Sequence, residues 1–381
     1  MSKIKVFCFT GTRADYPRIR PVLEQIIKKK KKFDLGIVVT GQHLLKSRGN
    51  SIKLIEADPF KIIAKIKMFK ENKDSYEENT LAFSRCVNNL IKFLNKNRPD
   101  VALVTVDRVE TLAIATVCRL LSIPICHVQG GEISGTQDEV FRHSITKLSD
   151  THCVATNLSK KRLLSMGEHK SNVFVTGCPY VEYIEAKLPK SKLISKNETY
   201  YLVCIHSNTS KVDEQIYLKR FFDIILEKIK DIRIILIMPN TDPGYKKILQ
   251  LFTKSNNWQI INNLAHQEYL YILKNSACLI GNTSSGIREA PSYGIPFLNF
   301  GYRQEQRERG DNVIDLGLNE NNFKKWLNPK KIAKFKSKLS KNNPYKKKGA
   351  SLSIVNCLEF TYKNRFKLDD KKFVHNKIKW K

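Results

Sequence analysis

The sequence predicts an α/β protein of two domains, each built on a parallel β-sheet with helices on both faces. Short, continuous apolar runs alternate with stretches whose apolar residues recur at helical spacing, the pattern of buried parallel strands joined by crossover helices. The pattern restarts after Gly177-Cys178-Pro179. A chain of 381 residues also exceeds what one hydrophobic core usually organises, while its 41% hydrophobic content is ample for two. These features place a first domain over 1–177, a second over 178–345, and a C-terminal helix and basic tail over 346–381, with the residues beyond Asn364 expected to fray.

Taken in order, residues 4–9 read as the first strand, closed by the turn Thr10-Gly11-Thr12, and Ile19, Val22, Leu23, Ile26 and Ile27 follow at helical spacing. Residues 35–39, 101–106, 123–128 and 152–155 read as further strands, with a helix over 109–121. In the second half, 200–205, 232–238, 258–261, 277–280 and 296–299 read as strands, and 215–229 and 266–274 as helices. Both halves are Rossmann-like.

Composition removes several function classes. The formal charge is +31, but the excess is mostly lysine and widely spread, and its densest runs, 28–32 and 346–348, fall at helix ends or in loops. That marks solvated faces, so no nucleic-acid partner is expected; the same field suits an anionic small substrate. The run 4–9 is too short for a signal-peptide core and no apolar stretch is long enough to span a bilayer, so a cytoplasmic chain with no membrane partner is expected. The nine cysteines never form C-x-x-C and sit mostly in apolar patterns, which reads as buried thiols.

No two glycines have the G-x-G spacing that lets a backbone approach a dinucleotide pyrophosphate, so dependence on NAD is not expected. A phosphate-binding P-loop, an H-E-x-x-H helix and a dense His/Cys ligand set are also missing, and neither metal nor cofactor is expected. The chemistry then falls to ordinary acids, bases and positive charges.

Those groups gather where expected strands end, the edge at which open α/β sheets bind ligands. Arg13 and Arg18 follow the first strand and either face a cleft or decorate the surface. Asp107-Arg108 follows the strand over 101–106, and the run His127 to Glu132 follows the next. Asp138-Glu139 precedes Arg142, His143 and Lys147, an arrangement that can move protons, or one in which a helix simply opens with its usual acids. Asn282, Ser284, Ser285 and Gly286 close a strand and open a helix carrying Arg288 and Glu289, which reads as a phosphate site or as a plain serine-rich cap. His206 and Arg303 each follow an apolar run.

Together these segments resemble, along nearly the whole chain, the hydrolysing UDP-N-acetylglucosamine 2-epimerases of sialic acid biosynthesis and their bacterial relatives for legionaminic acid. The resemblance rests on GTRADY at 11–16, VDR at 106–108, HVQGGE at 127–132, DEVFRHSITKLSD at 138–150, IGNTSSGIREAPS at 280–292 and GYRQEQRERGDNVID at 301–315. It implies a fold like the GT-B glycosyltransferases, an active site in the interdomain cleft, and a homo-oligomer, dimer or tetramer. It also implies that Ser284, Ser285, Gly286 and Glu289 grip diphosphate and ribose, with Arg13, His206 and Arg303 near the phosphates and Asn240, Asp242 and Leu264 on the nucleotide side.

The implied reaction on a UDP-sugar is anti elimination of UDP across C1 and C2, then hydration of the glycal with inversion at C2, with Asp107, Glu132 and Asp138 as the proton-handling candidates. Two positions depart from the family pattern. Gln129 stands where some relatives carry glutamate or histidine, and Val106 replaces a common glycine. The rival readings are a non-hydrolysing epimerase and a GT-B glycosyltransferase. The sugar is left open between N-acetylglucosamine and N,N'-diacetylbacillosamine.

Overall fold

The computed structural model describes residues 2–380 apart from 14, 49, 74, 135–136, 186–187, 196, 207–213, 240–247, 249, 252–257, 262–263, 369–370 and 379. The chain divides into two units, one of residues 1–132, 138–182 and 345–381, the other of 133–137 and 183–344.

In the first unit the order is β1 (Ile4–Thr10), α1 (Tyr16–Lys28), β2 (Phe33–Thr40), α2 (Ile52–Glu56), β3 (Ile62–Ile66), α3 (Tyr76–Leu94), β4 (Val101–Thr105), α4 (Val109–Leu120), β5 (Ile125–Val128), α5 (Asp138–Leu148), β6 (Thr151–Val154), α6 (Asn157–Ser165) and β7 (Val173–Val175). All seven strands are parallel, in the order β3-β2-β1-β4-β5-β6-β7. Alternation along β1 shows why. Ile4, Val6 and Cys8 turn to a core shared with α1, while Phe7 and Phe9 turn to one shared with α3 and α4. A strand buried on both faces must be apolar throughout.

The second unit holds β8 (Tyr200–Cys204), α7 (Glu214–Lys228), β9 (Arg233–Ile237), β10 (Trp258–Ile261), α8 (His266–Asn275), β11 (Cys278–Gly281), α9 (Ser285–Arg288), α10 (Ala290–Tyr293), β12 (Phe297–Phe300), β13 (Val313–Gly317), α11 (Glu320–Trp326) and α12 (Pro329–Lys336). Its six parallel strands run β10-β9-β8-β11-β12-β13. Tyr201, Val203 and Ile280 pack under Phe221, Phe222 and Ile225 of α7.

The last helix, α13 (Ala350–Leu368), belongs to the first unit. Its Ile354, Val355 and Leu358 complete the core under β1, β4 and β5. The units therefore divide after Glu182 rather than after 177, and the segment expected as a separate 346–381 tail is part of the first fold. Past Asn364, Lys371, Val374 and Asn376 are anchored to the first unit. The Val374 amide donates to Gly167 O at 3.0 Å, Asn376 caps the Leu164 and Glu168 carbonyls at 2.9 and 3.0 Å, and Lys371 reaches Glu168 at 2.7 Å. Strands β3, β7 and β13 are additional to those expected; each is a sheet edge, partly exposed and broken in pattern. Among the described residues no helix is long and apolar enough to cross a membrane.

Candidate active site

In the first sheet the strand order reverses between β1 and β4, and at such a switch point the turns leaving the two strands diverge and open a crevice. The turn after β1 is built on Asp15. Its carboxylate accepts Thr10 Oγ1 at 2.6 Å and the Gly11 and Thr12 amides at 2.9 and 3.1 Å. Burial works to raise this carboxyl, yet the bond and charge of His43, with Thr10 and the Gly11 amide, hold it below the usual range. His43 is itself fully buried, sharing hydrogen bonds with Thr10 at 3.0 Å and Ser51 at 2.8 Å. Arg13, in this turn, and Arg18, one helical turn into α1, are half-buried.

Across the switch point, Val106 adopts φ +63°, a left-handed conformation that a β-branched residue rarely takes. It turns the chain so that Asp107 faces α5. There Arg142, only 2% exposed, donates through Nη2 to Asp107 Oδ2 and through Nη1 to the Glu132 carbonyl at 2.7 Å. Asp138 opens α5 one turn earlier. Burial works against the charge of Arg142, but Asp107, Glu132 and Asp138 together hold its pKa above the usual value. Asp107 thus meets this guanidinium with its carboxylate and Glu132 with its backbone carbonyl, while the Glu132 and Asp138 carboxylates act on it through charge. Beneath them His127 shares a 3.2 Å bond with Val106 O, and burial, with His152 and Arg142 adding to it, pushes its imidazole down to about 3, leaving it neutral.

Gln129 turns away from this group, donating to Cys178 Sγ at 3.0 Å. Gly131 has φ +76°, and a Cβ there would meet Ser159 O at 2.5 Å and Leu163 Cδ1 at 2.4 Å, so only glycine lets the chain pass α6 and deliver Glu132.

The second sheet reverses between β8 and β11. Asn282, just past β11, clamps the end of β8: its Oδ1 accepts the His206 amide at 2.7 Å and its Nδ2 donates to His206 O at 2.8 Å. The Asn282 carbonyl accepts Arg303 Nη1 at 3.2 Å and Gln304 Nε2 at 2.9 Å. Asn282, His206 and Arg303 are thereby brought to one edge, with Ser284 at the N-cap position of α9 but making no side-chain cap bond. Ser285 and Glu289 are buried. The single helix expected here is instead two single turns, α9 and α10, because Pro291 at the start of α10 ends the first ladder. The side chain that Gly286 lacks leaves room for the Phe297 ring, which a Cβ would meet at 2.2 Å. Leu264 is half-buried between β10 and α8, and Asn240 and Asp242 lie outside the described residues.

Comparison with known proteins follows this geometry. The family model described as UDP-N-acetylglucosamine 2-epimerase matches residues 25–359. The chain belongs to the UDP-N-acetylglucosamine 2-epimerase family.

Among its relatives, the hydrolysing UDP-N,N'-diacetylbacillosamine 2-epimerase of Legionella pneumophila is 35% identical over 82% of this chain and 85% of its own. The polysialic acid biosynthesis protein P7 of Escherichia coli is 32% identical over 95% of both chains. The fold matches the crystal structure of UDP-GlcNAc 2-epimerase from Neisseria meningitidis bound to UDP-GlcNAc with a TM-score of 0.77 at 21% identity, covering 94% of this chain and 100% of that one. The two parallel-sheet α/β units are those of GT-B-like epimerases.

Four features of this family member escape sequence reasoning. Arg142 was visible only as a charge near Asp138, although the spacing of four places both on one helix face. Asp15 and His43, 28 residues apart in sequence, give no local sign of their contact. Glu110, 1% exposed beneath Gly11 and Gly41, looks like an ordinary first-turn acid of α4, yet among the described residues neither of its carboxyl oxygens has a hydrogen-bond partner. Burial raises its carboxyl pKa; Arg108 opposes this, and Asp15 and Asp138 add to it.

Proposed function

We propose that this chain is a hydrolysing UDP-sugar 2-epimerase that converts a UDP-linked 2-acetamido sugar, UDP-N-acetylglucosamine first among the candidates, into the free 2-epimer and UDP. The observation that carries this reading is the gathering of Asp107, Glu132 and Asp138 around Arg142. The family and the names of the relatives support it.

The chemistry needs two proton transfers at C2, a third from the attacking water, and no net change in oxidation state. A carboxylate removes the proton from C2, the C1–O bond breaks, and UDP leaves with the electron pair, forming a C1–C2 double bond. Water then adds its oxygen to C1 and gives up a proton to a carboxylate, while an acid returns a proton to C2 from the opposite face. Asp107, Glu132 and Asp138 supply these groups, and Arg142 holds Asp107 in orientation. Ser284, Ser285 and Glu289 bind diphosphate and ribose, with His206 and Arg303 and the Arg13 and Arg18 guanidiniums stabilising the departing charge.

A second sugar is favoured by the Legionella relative, whose name carries UDP-N,N'-diacetylbacillosamine. Proton NMR in D₂O, without added metal or NAD, separates the readings. Free N-acetylmannosamine deuterated at C2, with UDP released, supports the first. Turnover of the diacetylbacillosamine nucleotide alone selects the second. A 2-epimer still joined to UDP would mean a non-hydrolysing enzyme, and inertness toward both sugars would remove the reading.

A further inference from the structure

At the amino-terminal edge of the first sheet, away from the acids, the residues ahead of β4, β5 and β6 and the last turn of α13 line a cavity of about 400 Å³. A strand rises about 3.3 Å per residue, so β4 separates this cavity from Asp107 by roughly 15 Å.

Three guanidiniums line it, each held in place. Arg98 donates to Ser122 O at 3.0 Å and to the Leu121 carbonyl. Arg119 donates to Asp150 Oδ1 at 2.8 Å, and the other Asp150 oxygen accepts the Ile125 amide at 2.8 Å. Arg365 donates to Tyr362 O at 2.8 Å and lies 4.2 and 4.5 Å from the Tyr362 and Phe366 ring centres. Of the three, Arg119 alone is paired with a carboxylate among the described residues. Asp100, the other acid of the lining, is engaged by the Lys5 amide at 2.8 Å.

Arg98 and Arg365 are therefore preorganised, and the lining holds three guanidiniums against the two carboxylates of Asp100 and Asp150. Each of Arg98 and Arg365 carries five N–H donors, and the carbonyls above occupy at most two of them. Planar guanidiniums held in this way match the oxygens of a phosphate in geometry, and the lining has an excess of positive charge to receive it. The cavity is many times the roughly 30 Å³ of one water, so it has room for more than a bare anion. Phe366, 80% exposed at its rim, offers a face to a ring.

We propose that this cavity binds a phosphate monoester of a small ring compound, with Arg98 and Arg365 on the phosphate and Phe366 against the ring, as a site separate from the acids around Arg142. The test is calorimetric titration of glucose 6-phosphate and of inorganic phosphate into the full chain at low salt, with UDP present and without it. Glucose 6-phosphate is expected to bind at one site under both conditions, at least about tenfold more weakly in Arg98→Ala and Arg365→Ala. Phe366→Ala, which removes the rim ring and one of the two rings against which Arg365 lies, is expected to weaken glucose 6-phosphate more than inorganic phosphate.

Absence of binding up to about 10 mM would overturn the proposal, as would binding indifferent to the arginine variants. Equal affinity for the two probes would remove the ring contact. Should an alanine variant not fold, Arg365→Lys, which keeps the charge without the fork, is expected to show the same loss. The readout is dependence on Arg98 and Arg365, so it stands whether or not the chain binds UDP.

Discussion

Arg142, buried in the first unit, donates through Nη2 to the carboxylate of Asp107, 35 residues earlier in the chain, while its Nη1 holds the Glu132 carbonyl at 2.7 Å. One side chain thus holds the carboxylate of one acid and the backbone of a second. If these acids carry proton transfer, Asp107→Asn and Glu132→Gln each lower kcat by at least ~10²-fold and leave UDP affinity nearly unchanged. Steady-state kinetics beside UDP titration checks this, and near-normal rates in both variants would withdraw the assignment.

Removing Arg142 tests the same relationship from the other side. Arg142→Met leaves Asp107 without its partner and is expected to destabilise the chain by about 3 kcal/mol, read by urea unfolding. Arg142→Lys keeps the charge but not two directed donors, so it should fold and still lose turnover.

Arg303→Ala is expected to weaken UDP binding by about tenfold, the worth of one charge-assisted hydrogen bond to phosphate. Calorimetry with UDP reads this directly, and an unchanged affinity places Arg303 outside the nucleotide site.

Gly131→Ala should destabilise the first unit by about 2 kcal/mol or more. The new methyl must enter a left-handed backbone and meet Ser159 O at 2.5 Å, a backbone atom that cannot swing aside. A thermal melt within a degree of the parent would show that the turn relaxes freely.

Stability should also fall in acid through Glu168. Burial works to raise its carboxyl, but His152 at 2.9 Å, Lys371 at 2.7 Å and Lys147 at 2.7 Å bring it down to about 2. A lowered folded pKa contributes stability that is present above the unfolded value of about 4.3 and is lost as pH falls towards 2. Unfolding free energy measured between these limits should drop by up to ~3 kcal/mol, and Glu168→Gln should flatten that part of the profile.

Much of this was open to reading from the chain alone. The two sheets were legible because strands buried on both faces must be largely apolar, as 101–104 and 200–205 are. Edge strands such as β3, where Lys65 interrupts the run, carry no such requirement and were missed. The tail offered only lysines and scattered aromatics, a composition that reads as frayed; its anchoring comes from Lys371 and Asn376 finding Glu168 and the end of α6, which no local pattern announces.

Residue order was enough to settle that Asp107 and Glu132 stand where strands end, that Asn282 stands at the matching place in the second unit, and which family the motifs belong to. These are matters of spacing along one chain. Tertiary structure alone decided that Arg142 joins the acids, that Gln129 turns to Cys178, that Gly286 serves Phe297, and that Val106 carries a left-handed turn. Each depends on which strands and helices become neighbours, and burial then favours partners for enclosed charges and donors across long separations in sequence, Glu110 being an exception.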